Sequence, residues 1–462
     1  MVEFGGPNME VFEMRFVTLT LALLLSAAAA HAADCVPQAE MNAIAKSFPQ
    51  FQQYAGKDFC YDASQDSHLI AGIVFMRATQ FDTNMTRSGD ELFSARFASN
   101  WWAYFTGRIE EFQVDTSCPK GVVAYVYAFG GKTMYACSGA LTDQFTALDL
   151  ASVFMHEARH IDGFPHIQCD RGPRKGLAGA CDQAISDGGS YAVTVETYSQ
   201  LAKYAQGIAP ALKAYARSAS VIYADEAFET PVKITRTDRF MVVTNDRNIR
   251  TLNQDGTNAV VGQIPELGRV TMRAQHMILF PDNPNSRARW LFARNDGELA
   301  SSAGNQADEY NALSVSDRPS MVDVHIGAQW NARVYKNKVR FDCDPHAPNT
   351  QELALSDAPL GLIYTTGYDR SASQTQLMTD SGKIYDLGCN GTKAFLKASA
   401  TTLDQKYKHL YKVGALTLGL TTDGNLRSIT GTTSKPYSLG SGIDGQVREI
   451  MPNQSVDFYA EH

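Results

Sequence analysis

The pattern of hydrophobic and polar positions changes character once along the chain. Before residue 229, apolar side chains recur at helical spacing over long stretches, as in Glu91–Phe105, Ala147–His160 and Ser190–Ala205. Beyond Glu229-Thr230-Pro231 they gather into short runs broken by Asp, Asn and Gly, which reads as strands and tight turns. The change predicts two folded regions: an α+β domain over 33–228 and an all-β domain over 229–462.

The second region repeats one plan. Phe240–Ile249, Trp290–Leu299, Ala332–Val339, Gln376–Ile384 and Thr417–Leu426 each read as a strand, a polar turn and another strand. A period of about 40–50 residues with a hairpin in each unit is that of β-propeller blades. Asn295-Asp296-Gly297, Asp380-Ser381-Gly382 and Asp423-Gly424 supply the positive-φ positions that tight hairpins need. Five repeats predict a five-bladed β-propeller. A degenerate further blade would fall in Lys203–Arg239 or at the end of the chain, and a β-sandwich with recurring turns fits the same pattern. His276, His325, His346 and His409 are scattered through these repeats and read as ordinary polar side chains.

The chemistry concentrates in the first region. Ala147–Ile161 reads as a helix with Leu148, Leu150, Val153, Phe154 and Ile161 on its apolar face. Thr146, with Asp149 three residues on, forms a capping-box pattern. His156 and His160, one turn apart, project from the same side of that helix and have the spacing of two metal ligands. Glu157 is placed to act as a base toward water activated by the metal.

The full string, His156, Glu157, His160, Gly163 and His166, resembles the HExxHxxGxxH motif of the metzincin branch of the zincin metallopeptidases. The resemblance covers about 45 residues and implies a zincin-like catalytic domain holding Zn²⁺. It also implies Glu157 as general base and His166 as third ligand, brought back to the metal by a sharp bend at Gly163. Val122–Phe129 and Thr133–Cys137, joined through Gly130-Gly131, look like the hairpin beside a zincin cleft, whose edge holds an extended peptide. Two departures stand out. No methionine follows Met155 before Met241, so the methionine turn is missing, and Ile167 stands where some metzincins carry an acidic residue. In the gluzincin branch the third ligand is a later Glu, and Glu196 fits that alternative. Asp187 reads as a cap, and Tyr191 or Tyr198 is a candidate oxyanion donor.

Composition narrows the setting. Hydrophobic residues at 44% and charged residues at 19% describe a folded chain, and 462 residues suit two or three domains. A formal net charge of −8 without a basic stripe argues against a nucleic-acid partner. Met14-Arg15, the apolar run Phe16–Leu25 and Ala30-His31-Ala32 form a signal-peptide pattern over 1–32, and the acidic stretch before Met14 makes Met14 an alternative start of translation. The run is too short for a stable membrane anchor, which takes ~20 apolar residues. The expectation is a secreted or periplasmic protein.

Eight cysteines follow: Cys35, Cys60, Cys118, Cys137, Cys169, Cys181, Cys343 and Cys389. An even number in an exported chain favours disulfides, and pairing in sequence order is the simplest of many arrangements. A Cys169–Cys181 bond would close a loop beside the metal, which reads first as a solvated loop and otherwise as a basic rim of Arg171, Arg174 and Lys175 able to attract acidic substrate groups. The expected partners are a peptide or protein substrate and a protein or cell-surface ligand for the propeller. Two other functions fit: an exported binding protein with a structural or inactive zinc site, and a zinc amidase acting on cell-wall peptides.

Overall fold

The computed structural model describes residues 35–81, 100–119, 122–127, 131–142, 145–171, 174–237, 239–253, 255–273, 276–293, 299–302, 308–326, 330–343, 350–364, 375–413, 415–437 and 443–460. The signal-peptide segment lies outside them, as do the first nine residues of the predicted helix Glu91–Phe105. What is described of that helix starts at Trp101, where the Asn100 side chain accepts from the Ala103 N–H and caps it.

The chain is helical up to residue 226 and largely stranded from residue 233 onward. The helices are α1 (Gln38–Ser47), α2 (Gln65–Ala78), α3 (Trp101–Thr106), α4 (Ala147–His160), α5 (Ser190–Tyr204) and α6 (Pro210–Glu226). Strand β1 (Cys35–Val36) pairs with β2 (Phe59–Cys60), and β3 (Gln80–Phe81) with the later β7 (Ala205–Gln206). A three-stranded sheet is built from β4 (Glu111–Asp115), β5 (Ala124–Val126) and β6 (Thr133–Cys137), in the order β4-β6-β5.

Helix α4 is the central element, packed against α2, α3, α5 and β5. Burial on every side explains why its sequence is apolar almost all round. Phe154 meets Phe105 and Phe112 with ring centroids 5.9 and 4.9 Å away, and α2 approaches Leu150 and Phe154 through Gly72. The N-terminus of α4 carries the full capping box, with Thr146 Oγ1 accepting from Asp149 N and Asp149 Oδ2 accepting from Thr146 N. A cap of this kind is worth about 1 kcal/mol. Asp149 does more than cap. Its Oδ1 also accepts from the hydroxyls of Tyr198 on α5 and Tyr215 on α6, which ties three helices at one point.

Helix α6 replaces the degenerate blade sought in Lys203–Arg239. Pro210 sits at its first turn, where a missing N–H costs nothing, and buried Ala211, Ala214, Ala216, Ser218, Ala219 and Ser220 let it lie close to its neighbours. Asn453 then joins this hairpin to the strands, donating to Ala214 O at 2.8 Å and Ser218 Oγ at 2.9 Å.

After β8 (Lys233–Thr237), which pairs with β29 (Ser455–Ala460), the strands form five successive four-stranded antiparallel units, the last two joined into one eight-stranded sheet by a parallel pairing of Ile363 with Leu410. The first contains β9 (Arg239–Thr244), β10 (Asn248–Asn253) and β11 (Asn258–Gln263). The second is β12 (Gly268–Arg273), β13 (His276–Pro281), β14 (Arg289–Ala293) and β15 (Leu299–Ser302). A short helix, α7 (Asp308–Ala312), precedes the third: β16 (Met321–Ile326), β17 (Asn331–Tyr335), β18 (Lys338–Asp342) and β19 (Thr350–Ala354). The fourth is β20 (Pro359–Tyr364), β21 (Thr375–Thr379), β22 (Ile384–Asn390) and β23 (Lys393–Ala398). The fifth is β24 (Tyr407–Val413), β25 (Leu416–Thr421), β26 (Leu426–Thr430) and β27 (Thr433–Pro436). The first strand of the first unit, in its order across the sheet, is β28 (Val447–Pro452), which returns from the far end of the chain to pair with β9.

The paired strands of each predicted hairpin are present, with one shift of register; residues 294–298, the turn of Trp290–Leu299, lie outside the described residues. In four units the repeat falls on the second and third strands, but Trp290–Leu299 falls on the third and fourth strands of its unit. The irregular spacing of the repeats follows from that shift. The residues closing the chain form β28 and β29 rather than a further blade.

The first strands of the units touch in cyclic order: β28 with β12, β12 with β16, β16 with β20, β20 with β24, and β24 with β28. One buried polar cluster reaches all five. Arg269 on β12 donates to Val322 O and to Asp323 Oδ2 on β16, and its Nη2 is 2.8 Å from His409 Nε2 on β24. Asp323 Oδ2 accepts from Leu362 N on β20, and His409 Nε2 meets Glu449 Oε2 on β28 at 2.7 Å. His409 is therefore part of a network rather than an isolated side chain. His325 is also buried, its ring 4.0 Å from that of Trp330; His346 and the His276 side chain lie outside the described residues.

Candidate metal centre

Helix α4 presents His156 and His160 on one side, and the chain then turns back. Gly163 N–H donates to His160 O, and Gly163 takes φ +88°, a left-handed conformation open to glycine at little cost. Three residues later His166 comes back over the helix end. Its Nε2 lies 3.0 Å from His156 Nε2 and 3.1 Å from His160 Nε2. Glu196 is not in this group. It is buried on α5, where its charge bears on the Tyr104 hydroxyl.

The outer nitrogens of the three rings fix their protonation. His156 Nδ1 is 2.8 Å from Thr194 Oγ1, which itself donates to Ser190 O and so accepts from the imidazole. His160 Nδ1 faces Phe164 O at 2.5 Å, with Ser190 Oγ at 3.2 Å. His166 Nδ1 faces Asp182 Oδ1 at 2.9 Å. With each Nδ1 donating outward, all three Nε2 lone pairs point at one another. Burial pushes His160 down to about 3 and holds His156 and His166 well below the usual imidazole range; the neighbouring His166 lowers His156 further. Neutral rings are the metal-binding form.

The donor set suits a tetrahedral cation. Nitrogens each about 2.0–2.1 Å from a shared ion stand about 3.3 Å apart, close to the spacing here. A second observation points the same way. The Glu157 carboxylate is wholly buried, burial pushes it up to about 8, and neither oxygen has a hydrogen-bond partner among the described residues. An orphaned carboxylate on the residue that follows the first histidine fits a site that holds a cation and a water.

Tyr191 forms the floor. Its ring lies 4.9 Å from that of His156 and 4.5 Å from that of His166. Burial pushes its hydroxyl up to about 12. Tyr198, the other candidate oxyanion donor, gives its hydroxyl to Asp149 near the opposite end of α4.

The four disulfides are Cys35–Cys60, Cys118–Cys137, Cys169–Cys181 and Cys343–Cys389, the sequential pairing. The loop closed by Cys169–Cys181 does lie beside the histidines, but its basic rim does not form. Arg174 packs over the Tyr191 ring at 5.0 Å and pairs with Glu226 at 3.9 Å, while Arg171 pairs with Glu229 at 3.7 Å. Lys175 alone of the three is exposed. Asp187 accepts from Ala184 N, a capping role. Strand β5 forms the edge of its sheet and packs on α4 through Val123, Ala124 and Val153; residues 128–130 of the predicted hairpin lie outside the described residues.

Asp182, Thr194 and the floor role of Tyr191 escaped sequence reasoning. Thr194 and Tyr191 share a helix whose register against α4 is set by tertiary packing. The one local clue to Asp182 was its place next to Cys181.

No family model matches this sequence, and no curated protein matches it. Among solved structures, a chain of a nidogen/laminin complex is similar over 49% of this chain and 87% of its own length, at 9% identity and a TM-score of 0.28. The WD40 domain of SCAP from fission yeast is similar over 45% of this chain and 52% of its own length, about half of that chain, at 12% identity and a TM-score of 0.20. TM-scores this low carry no argument about fold or function. The site is, on its own geometry, a three-histidine group able to hold a metal ion.

Proposed function

We propose that this chain is an exported zinc-dependent metallopeptidase, with a zincin-like catalytic domain over 33–228 followed by a five-bladed β-propeller over 229–462. The observation that carries the reading is the convergence of three neutral imidazoles, with the residue after the first of them bearing a buried carboxylate that has no hydrogen-bond partner among the described residues. Zinc held by His156, His160 and His166 supplies a Lewis acid that polarises a carbonyl and acidifies water.

The side chains supply the rest. Glu157 takes a proton at its carboxylate from the attacking water and passes it to the leaving amine. Its burial favours the protonated acid and so suits it to hold that proton between the two steps. The edge of β5 holds an extended peptide by backbone pairing, beside the exposed Tyr127. Cyclic contact among the first strands, closed by β28 on β9, supports the propeller reading, and that domain binds a protein or cell-surface ligand. Four disulfides suit an extracellular or periplasmic location, and among the described residues no helix is long and apolar enough to cross a membrane.

Metal analysis and a peptidase assay of the mature chain beside Glu157→Gln test this reading. Both proteins should carry one zinc, and only the wild type should hydrolyse casein. The depth of the site favours a second reading, a binding protein with a structural metal, which zinc without hydrolysis in either protein would support. Cleavage of muropeptides but not casein would move the substrate to cell-wall peptides.

A further inference from the structure

His166 is the one ligand that α4 does not supply, and it has a support of its own. Its Nδ1 is 2.9 Å from Asp182 Oδ1, while Asp182 Oδ2 accepts from Tyr191 N at 2.8 Å. One buried carboxylate therefore receives the third ligand's outer N–H and a backbone N–H from the first turn of α5. The backbone holds Asp182 from two sides. Ile167 and Cys181 exchange hydrogen bonds at 2.8 and 3.3 Å, which sets residues 166 and 182 beside each other just outside the Cys169–Cys181 loop. On the other side Asp182 N donates to Ala227 O, and Asp182 O accepts from Glu229 N.

Space at the carboxylate is cut to fit. A Cβ on Gly189, the residue before α5, would stand 2.5 Å from Asp182 Oδ2 and 2.9 Å from Cγ, so only glycine admits the carboxylate there. Gly189 has an ordinary φ, and its requirement is the close approach rather than strain.

We propose that Asp182 is the positioning residue for the third metal ligand: it holds His166 in the Nδ1–H tautomer and at the angle that turns Nε2 toward His156 and His160. The idea rests on the metal reading above and adds a residue to it. Through Asp182 the ligand set is tied to the first turn of α5, and so to the Tyr191 floor. The Cys169–Cys181 bond fixes the two-residue ladder that makes the pairing possible. An outer carboxylate on a ligating histidine is commonly worth 10–100-fold in metal affinity.

The test is a double-mutant cycle on zinc affinity, measured by competition with a chromophoric chelator on the full mature chain. Asp182→Asn should weaken zinc binding about 10–100-fold, because an amide cannot accept both N–H groups. In a His166→Ala background the same change should have almost no effect, since its target is gone. Gly189→Ala, which leaves the carboxylate in the chain but displaces it, serves if Asp182→Asn folds poorly. It should weaken zinc binding about tenfold or more, on the same outer-shell scale. Unchanged affinity in Asp182→Asn, or an equal loss with and without His166, would overturn the positioning role and leave the metal site standing. Absence of zinc binding in the wild type would overturn the metal reading, and this role with it.

Discussion

His409 Nε2 on β24 lies 2.7 Å from Glu449 Oε2 on β28, and both side chains are buried where the first strands of the five units meet. The contact is within hydrogen-bonding distance, and Arg269 Nε lies 4.0 Å from Glu449 Oε1. Burial pushes the Glu449 carboxyl up, but His409 and Arg269 outweigh it and hold the group below the ordinary carboxylate range.

A depressed carboxylate makes stability depend on acid in a definite direction. The unfolded chain binds the proton more tightly, so the contribution is complete above the ordinary value of about 4.3 and is lost as pH falls toward the folded value. Glu449→Gln should cost about 3–5 kcal/mol at neutral pH, because it leaves buried partners uncompensated. It should also flatten this part of the acid limb. Urea midpoints of both proteins across about pH 3–7 measure the two effects, and parallel acid limbs would refute the assignment.

The ligand set makes a separate prediction. His156→Ala, His160→Ala and His166→Ala should each weaken zinc binding by more than about 100-fold, a larger effect than loss of an outer partner. Glu196→Gln should leave affinity nearly unchanged, since Glu196 stands outside the group of converging atoms. Zinc titration of the four variants decides it, and a strong loss in Glu196→Gln alone would transfer the third ligand to α5.

Gly163 carries the bend that returns His166. At φ +88° a side chain costs about 1–2 kcal/mol, so Gly163→Ala should lower the unfolding midpoint, whereas Gly163→Asn should cost less. Thermal unfolding of the zinc-free proteins isolates this backbone effect from metal binding. Equal midpoints for Gly163→Ala and wild type would show that the bend tolerates an ordinary residue.

Gly72 governs how closely α2 meets α4. A Cβ there would lie 2.8 Å from Phe154 Cε2 and 2.9 Å from Leu150 Cβ. Alanine is favoured over glycine in a helix by about 1 kcal/mol, but the clash costs about 1–3 kcal/mol and acts against a closely packed core. Gly72→Ala should therefore destabilise the fold despite its better propensity, and chemical denaturation reads the sign directly.

What could be read in advance was local. The α4 cap, the i and i+4 histidines and the glycine turn lie within about twenty residues of sequence, and helix geometry alone relates them. The hairpins of the second half were legible for the same reason, since a turn and its two strands are contiguous. Register was harder: in the second unit the polar string 294–298 imitates the turn that other units place one strand earlier. Asp182 and Tyr191 were hidden because their roles come from a disulfide, a backbone ladder and a helix pairing. Helix α6 was missed because its buried face is made of Ala and Ser, which weaken the hydrophobic signal that marks a packed helix.

The return of β28 to β9 has a consequence for how the chain is made. Thr244 on β9 waits for Val447, roughly 200 residues later. At about 5–20 residues per second, synthesis leaves that gap open for on the order of 10–40 s. Throughout it the strand Arg239–Thr244, nearly all apolar, has one bare row of backbone donors and acceptors and invites pairing with a neighbouring chain. The vulnerable interval in this protein's life is therefore the time before its last strands emerge, and a holding factor that shields the bare edge would act then.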